Sequence, residues 1–394
     1  MSKRRLLVHL ILSACGTLAA ACGPAPEPQA AAAADAAPDL ESRAREIALS
    51  SIIVDTHIDV PYRLEEKWVD VSQATSGGDF DYPRAVEGGL NVAFMSIYTP
   101  AELEAEGQSR QAAEALIDMV EELVAGAPEK FAIALSPAEV EEQFRAGLIS
   151  LPLGMENGSP IEGDLANVEH FYDRGIRYIT LAHGLSNHIS DSSYDENRQW
   201  GGLSDFGFEV VREMNRLGIM VDVSHISDDA FADVLEVTQA PVIASHSSAR
   251  RFTPGFERNM SDEMIRQLAE NGGLIMINFG SSFLTAEANA WSEAFGEAYD
   301  AYLAGNGVEA SDETRERFRE QFVKENGELP YATLEETLDH FDHVVQLTSV
   351  DHVGIGSDYD GVGDSLPIGL KDVSDYPNLV EGLLRRGYSE EDIR

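Results

Sequence analysis

The segment Asp55-Thr-His57-Ile-Asp59 places an imidazole and a carboxylate two residues apart at the end of a short apolar run. In an extended strand, residues i and i+2 point to the same side. His57 and Asp59 can therefore face one cation, and a histidine with a carboxylate makes half of a zinc site. Alone the pair is a weak signal, because many strands carry this spacing by chance. Its weight comes from what recurs along the chain. Glu156 closes Leu153-Gly-Met-Glu156, and His183 closes Thr180-Leu-Ala-His183. His225 closes Val221-Asp-Val-Ser-His225, His246 closes Val242-Ile-Ala-Ser-His246, and Asp358 closes Gly354-Ile-Gly-Ser-Asp358. Unpaired buried charge is costly, so side chains of these types do not gather at strand ends for stability. They suit metal binding and proton transfer.

The elements that must position them follow from the apolar pattern. Runs at Ile52–Asp55, Asn91–Tyr98, Ile149–Met155, Tyr178–Ala182, Ile219–Val223, Val242–Ser245, Leu274–Phe279 and Val353–Ser357 alternate with amphipathic helical stretches. Eight such units predict a (β/α)8 TIM-type barrel, in which sites are built at the carboxyl ends of the strands. A weaker run, Phe131–Leu135, reads as an accessory strand. Ser204 is expected to cap a helix with Phe206, Val210, Met214 and Leu217 on one stripe and Gly218 at its end. Ser261 opens another, with Met264, Ile265 and Leu268 inward and Gly272–Gly273 closing it. Residues 284–330 are too long for one connection and predict a helical insertion on the rim. Ser389 to Arg394 reads as a capped first helical turn that the sequence does not continue. A single turn is unstable alone, which suggests a final helix cut short.

With these motifs in place, the sequence resembles the membrane (renal-type) dipeptidases of the amidohydrolase superfamily from about Ser51 to Arg394. The resemblance rests on Asp55-Thr-His-Ile-Asp-Val-Pro61, Gly154-Met-Glu-Asn-Gly158, Tyr178-Ile-Thr-Leu-Ala-His183 and Asp222-Val-Ser-His225. Ser245-His-Ser-Ser-Ala249, Arg258-Asn259 and Gly354-Ile-Gly-Ser-Asp-Tyr-Asp-Gly361 extend it. It implies two zinc ions, one on His57 and Asp59 and the other on His225 and His246, with Glu156 bridging both. It implies further that His183 and Arg258 contact substrate, that Asp358 handles the proton, and that a metal-bridging hydroxide cleaves dipeptides. Arg258 would read the free C-terminal carboxylate through its bidentate fork, and a D-residue at that position would be tolerated. A homodimer is also implied. Ile58 and Gly280 depart from relatives, some of which carry Asn and Tyr there, and this bears on side-chain specificity. Hydrolysis of lactams, lactones or N-acyl amino acids would use the same metal ligands. An inactive envelope-binding lipoprotein is the alternative from another class, and it would be expected to lack a ligand.

Other residues read as structural. His340 and His343 lie on a helix before the eighth strand, and His352 opens that strand at the far end of the barrel. Asp360 reads as a carboxylate ordering its loop, whereas His188, on the loop after His183, is a candidate for lining the pocket. The chain has 69 acidic and 28 basic residues, a net charge of −41, which repels nucleic acid and anionic lipid. Residues 1–22 read as an export signal: Lys3-Arg4-Arg5 precedes the apolar Leu6 to Leu12, followed by small residues. Both cysteines lie here in lipoprotein-like settings, Leu12-Ser-Ala-Cys15 and Leu18-Ala-Ala-Ala-Cys22, with Cys22 preferred for its signal length. An ordinary cleaved signal is the alternative. Residues 23–40 are Pro/Ala-rich, as a flexible tether would be, and 41–394 form the catalytic domain. The expected product is thus exported to the cell envelope or periplasm and touches the membrane only through its lipid. Mass spectrometry of the mature N-terminus is expected to find a lipid-modified cysteine at position 22. An unmodified chain beginning beyond it would mean ordinary secretion.

Overall fold

The structure is a computed structural model that describes residues 39–394; Cys15, Cys22 and most of the proposed tether lie outside the described residues. Its sheet contains ten parallel strands: β1 (Ile53–Ile58), β2 (Leu90–Tyr98), β3 (Phe131–Ala132), β4 (Ile149–Ser150), β5 (Leu153–Glu156), β6 (Ile176–Thr180), β7 (Met220–Asp222), β8 (Ile243–Ser247), β9 (Leu274–Ile277) and β10 (Val353–Ile355). Eight of them close a ring in the order β1-β2-β5-β6-β7-β8-β9-β10, and β10 returns to β1 through Asp55 opposite Ile355. This is the TIM-type barrel expected from the alternating pattern.

One of the expected strands divides. The run 149–155 is interrupted at Leu151-Pro152, where Pro152 has no N–H for the ladder. Ile149–Ser150 pairs outward with β3, and Leu153–Glu156 joins the ring between β2 and β6. The accessory strand at Phe131 is present but only two residues long.

Two apolar layers hold the barrel. The larger lies between strands and helices, where Val210, Val211 and Met214 of helix Asp205–Leu217 and Ile265 and Leu268 of helix Asp262–Glu270 are buried. The caps follow from local chemistry. Ser204 Oγ accepts from Gly207 N at 2.9 Å and Ser261 Oγ from Met264 N at 3.3 Å, while Gly218 ends the first helix at φ 84°. The smaller layer plugs the barrel interior with Tyr178, Ile243 and Met276, supported by Phe94, Met220 and Leu274. Gly154 makes room for it, since a Cβ there would sit 2.0 Å from the Tyr178 ring.

Residues 284–330 hold two helices, Ala286–Asn306 and Asp312–Asn326, with a separate aromatic cluster of Phe295, Tyr299, Phe318 and Phe322. The last turn, Glu390–Ile393, is capped by Ser389 and Asp392. Arg394 donates to Ser50 and Ser51 Oγ at 2.9 Å each, so this turn is tied to the first helix, Leu40–Ser50. No helix among the described residues is long and apolar enough to cross a membrane.

Candidate metal centre and active site

The carboxyl ends of the strands bring together seven residues marked out by the sequence: His57, Asp59, Glu156, His183, His225, His246 and Asp358. All but His183, which is partly exposed, are buried. Glu156 stands between two groups of donors. Its Oε2 lies 3.4 Å from His57 Nε2, which is itself 3.4 Å from Asp59 Oδ2. Its Oε1 lies 3.1 Å from His225 Nε2 and 3.2 Å from His246 Nε2, with His183 Nε2 at 3.6 Å.

These spacings suit ligands around cations. Bonds of about 2.0–2.1 Å in a tetrahedron place donor atoms roughly 3.3–3.4 Å apart. His57 Nε2 is buried without a hydrogen-bond partner, and its Nδ1 is 2.9 Å from the Tyr178 hydroxyl. Because that hydroxyl donates to the Thr56 carbonyl, His57 Nδ1–H must be the donor, which leaves Nε2 facing Glu156 and Asp59, where those carboxylates favour a proton or a cation. His246 is oriented in the same way. Ser245 Oγ donates to Asp222 Oδ2 at 2.6 Å and accepts from His246 Nδ1 at 2.8 Å. The Nε2 atoms of His225 and His246 then approach to 2.8 Å. Three overlapping groups of donors, His57–Glu156–His246, Glu156–His183–His225 and His57–Asp59–Asp358, two of them sharing Glu156, fit a bridged pair of metal ions. His246 also stacks on His57, with ring centroids 3.7 Å apart, so the two rings are in direct contact.

The electrostatics agree with that assignment. Burial holds His225 and His246 well below the ordinary imidazole value and so keeps them neutral, as ligands must be. Burial also opposes charge on His57, but Tyr178, Glu156 and Asp59 together raise it well above its ordinary value. Burial would raise Glu156, yet His57, His183 and the hydrogen bonds of His225 and His246 hold it well below the carboxylate range. Burial, with the Asp59 carboxylate beside it, pushes Asp358 up to about 8. Asn278 Nδ2 donates to Asp358 Oδ2 at 2.7 Å and fixes the orientation of its carboxylate. Burial lowers His183, only partly offset by Glu156.

Strand alternation does not by itself aim these groups. β1 ends at Ile58, and Asp59 caps helix Val60–Glu66 at φ −91°, ψ 32°, so a strand-to-helix turn presents its carboxylate. His225 and Asp358 follow β7 and β10 in left-handed backbone, at φ 70° and 63°. Side-chain residues rarely adopt this conformation, which tends to occur at functional sites. His183 lies three residues beyond β6, and its ring packs 4.2 Å from that of His225.

Arg258 is 3% exposed and lies beneath the mouth, outside the wall of its cavity. It donates to Ser247 Oγ at 2.6 Å and to the His246 carbonyl at 2.8 Å, over the Phe283 ring. Gly280 faces Phe283 and Val362, each 2.9 Å from where its Cβ would stand, so these two side chains fill the space beside it. Ile58 is fully buried. His188 is not on the cavity wall; its Nδ1–H donates to Glu104 Oε1 at 2.5 Å and its Nε2 accepts from Gly163 N. Asp360 orders its loop by accepting from Arg63 at 2.9 Å and Asp79 N at 2.6 Å. His340 is a core residue that accepts from Ala249 N and donates to the Leu284 carbonyl, and burial lowers it to about 4. His343 pairs with Asp262, and His352 with the Gly273 carbonyl. Tyr178, Asp222, Ser245 and Asn278 carry no functional signal in the motifs themselves. For Tyr178 a different signal exists, because a tyrosine on a barrel strand needs a partner for its hydroxyl.

A parallel barrel with a histidine–carboxylate cluster at this end defines a metal-dependent hydrolase. Residues 41–394 match the family described as membrane dipeptidase (peptidase family M19). The chain is 33% identical over 323 residues to "Dipeptidase aclJ" of Aspergillus oryzae, covering 80% of this chain and 67% of that one. It is 30% identical over 367 residues to "Dipeptidase 3" of Mus musculus, covering 90% and 64%. The chain thus spans about two thirds of the length of these curated relatives. A solved metallo peptidase from Rhodobacter sphaeroides, liganded with a phosphinate mimic of the dipeptide L-Ala-D-Ala, matches with a TM-score of 0.71 at 26% identity, covering 88% of this chain and 96% of that one. The chain belongs to the membrane dipeptidase family, peptidase family M19, and is a metallopeptidase.

Tyr178→Phe is expected to weaken metal binding about 10- to 100-fold, the scale for losing an outer partner of a metal-ligating histidine, while its ring continues to fill the barrel. Competition with a chelator measures this, and unchanged affinity would leave Tyr178 a packing role alone.

Proposed function

We propose that this chain is a binuclear zinc dipeptidase acting on free dipeptides, including those with a D-residue at the C-terminal position. The observation that carries the proposal is Glu156, whose Oε2 faces His57 and whose Oε1 faces His225 and His246. His57 and Asp59 would hold one ion and His225 and His246 the other; their nitrogen and oxygen donors favour zinc. When bound, such a pair acidifies water and polarises the scissile carbonyl. The known relatives named dipeptidases and the neighbour liganded with an L-Ala-D-Ala mimic support the substrate class.

The protein's own residues supply the rest. Asp358, held by Asn278 beside Asp59, would be ionised by the neighbouring cations, and it then takes the proton of the attacking water and delivers it to the leaving amine. His183, on the cavity wall near Glu156, donates to the carbonyl oxygen as charge develops on it. Arg258 supplies fixed positive charge below the mouth, and its influence reaches His183, His225 and Tyr194. We assign it to the C-terminal carboxylate. Its guanidinium is already engaged by Ser247 and the His246 carbonyl, so it acts mainly through its field and remaining N–H groups. Export to the cell envelope with a lipid on Cys22 completes the proposal.

Elemental analysis after zinc loading should return about two ions per chain, and that protein should cleave L,L and L,D dipeptides faster than the corresponding tripeptides or C-terminal amides. One ion or none, or equal rates on amides, would overturn the proposal. Asp358→Asn should keep its metal and lose at least about 10² in kcat. Near-normal turnover would remove Asp358 from proton transfer.

A further inference from the structure

The metal cluster forms the floor of a cavity of about 820 Å³, near the upper end of the usual range for small-molecule sites. A dipeptide with small side chains leaves its outer part unfilled. That outer part is walled by the insertion, through Trp291 and Phe295 of one helix and Arg315 and Arg319 of the other.

Cations are scarce in this acidic chain, and the cavity wall carries three: Arg63, Arg315 and Arg319. Arg63 is committed to Asp360 and the Phe80 carbonyl. Arg319 is only loosely engaged, 3.4 Å from Asp364, a residue whose side chain is 68% exposed and which also accepts from Tyr331 at 2.8 Å. An exposed pair of that length is weak and exchangeable. Arg315 lies over the faces of Phe295 and Tyr299, 5.1 and 5.6 Å from their centroids. Ring stacking orients a guanidinium without using up its in-plane donors. Arg315 and Arg319 are four residues apart on one helix and so share a face.

We propose that Arg315 and Arg319 form a carboxylate subsite for a substrate side chain, so that the enzyme prefers dipeptides containing an aspartate or glutamate residue. This rests on the dipeptidase proposal above. The substrate's peptide bond lies at the metal cluster, its main-chain carboxylate is assigned to Arg258, and an acidic side chain extends outward to the insertion. Glu66 and Asp364, also on the wall, oppose the anion, and Arg319 exchanges Asp364 for it.

The test uses the zinc-loaded enzyme and matched alanine dipeptides carrying Glu or its neutral isostere Gln at either position. The wild type is expected to favour the Glu member by about 10-fold or more in kcat/KM at one of the two positions, the scale of one charge-assisted hydrogen bond. That ratio should fall toward one in Arg315→Gln and in Arg315→Ala/Arg319→Ala, drop below one in Arg315→Glu, and shrink with added salt in the wild type. A wild-type ratio near one at both positions, with alanine dipeptides still cleaved, would overturn the proposal. So would a double variant that slows Glu and Gln substrates equally, which would assign the arginines to the main-chain carboxylate. If no dipeptide is cleaved at all, the proposed function fails and this subsite fails with it.

Discussion

The structure depends on a carboxylate buried among four imidazoles. Glu156 at the end of β5 is almost out of contact with water, and its two oxygens face in different directions. A charge in that position is tolerable only if something positive stands on each side of it. Without ions a protonated His57 supplies this on one side, a place that a metal ion would take over, but His225 and His246 are held neutral by burial and cannot supply it on the other. A cation there stabilises the carboxylate and completes the donors of both histidines. The ions proposed for the site would thus also make its composition tolerable, which would couple metal binding to the stability of the barrel mouth.

Much of the surrounding architecture serves to orient ligands. Tyr178 fills the barrel over Gly154 and accepts the Nδ1 proton of His57, so one ring serves packing and the metal centre together. Asp222 accepts from Thr180, Ser224 and Ser245 and, through Ser245, fixes His246. Asp55 does the corresponding work for β1 and β10, accepting from His57 N, Ser357 N and the Tyr376 hydroxyl. Burial raises Asp55, as expected of a carboxyl group whose place is in the core.

The insertion adds a second level of organisation. Its aromatic cluster packs as a unit separate from the core, and its residues line part of the cavity wall. A site of this design can change its substrate preference at the outer wall while its chemistry stays constant at the floor, a familiar property of barrels whose loops carry specificity.

The barrel and the residues gathered at its mouth were legible in the sequence because both depend on local pattern. Apolar runs of strand length must be buried, and His, Glu or Asp placed just beyond six of them must arrive at the same rim. The split at Pro152 was missed because an apolar run does not show which partner each half will take. What only the tertiary structure decided is direction. Which oxygen of Glu156 meets which histidine, the left-handed turns at His225 and Asp358, the withdrawal of Arg258 beneath the mouth, and the approach of Arg315 and Arg319 from a distant helix all depend on contacts between residues far apart in the chain. Local sequence sets which groups are available at the rim. Their orientation follows from closing the barrel, since only then does each buried donor meet the neighbour that satisfies it.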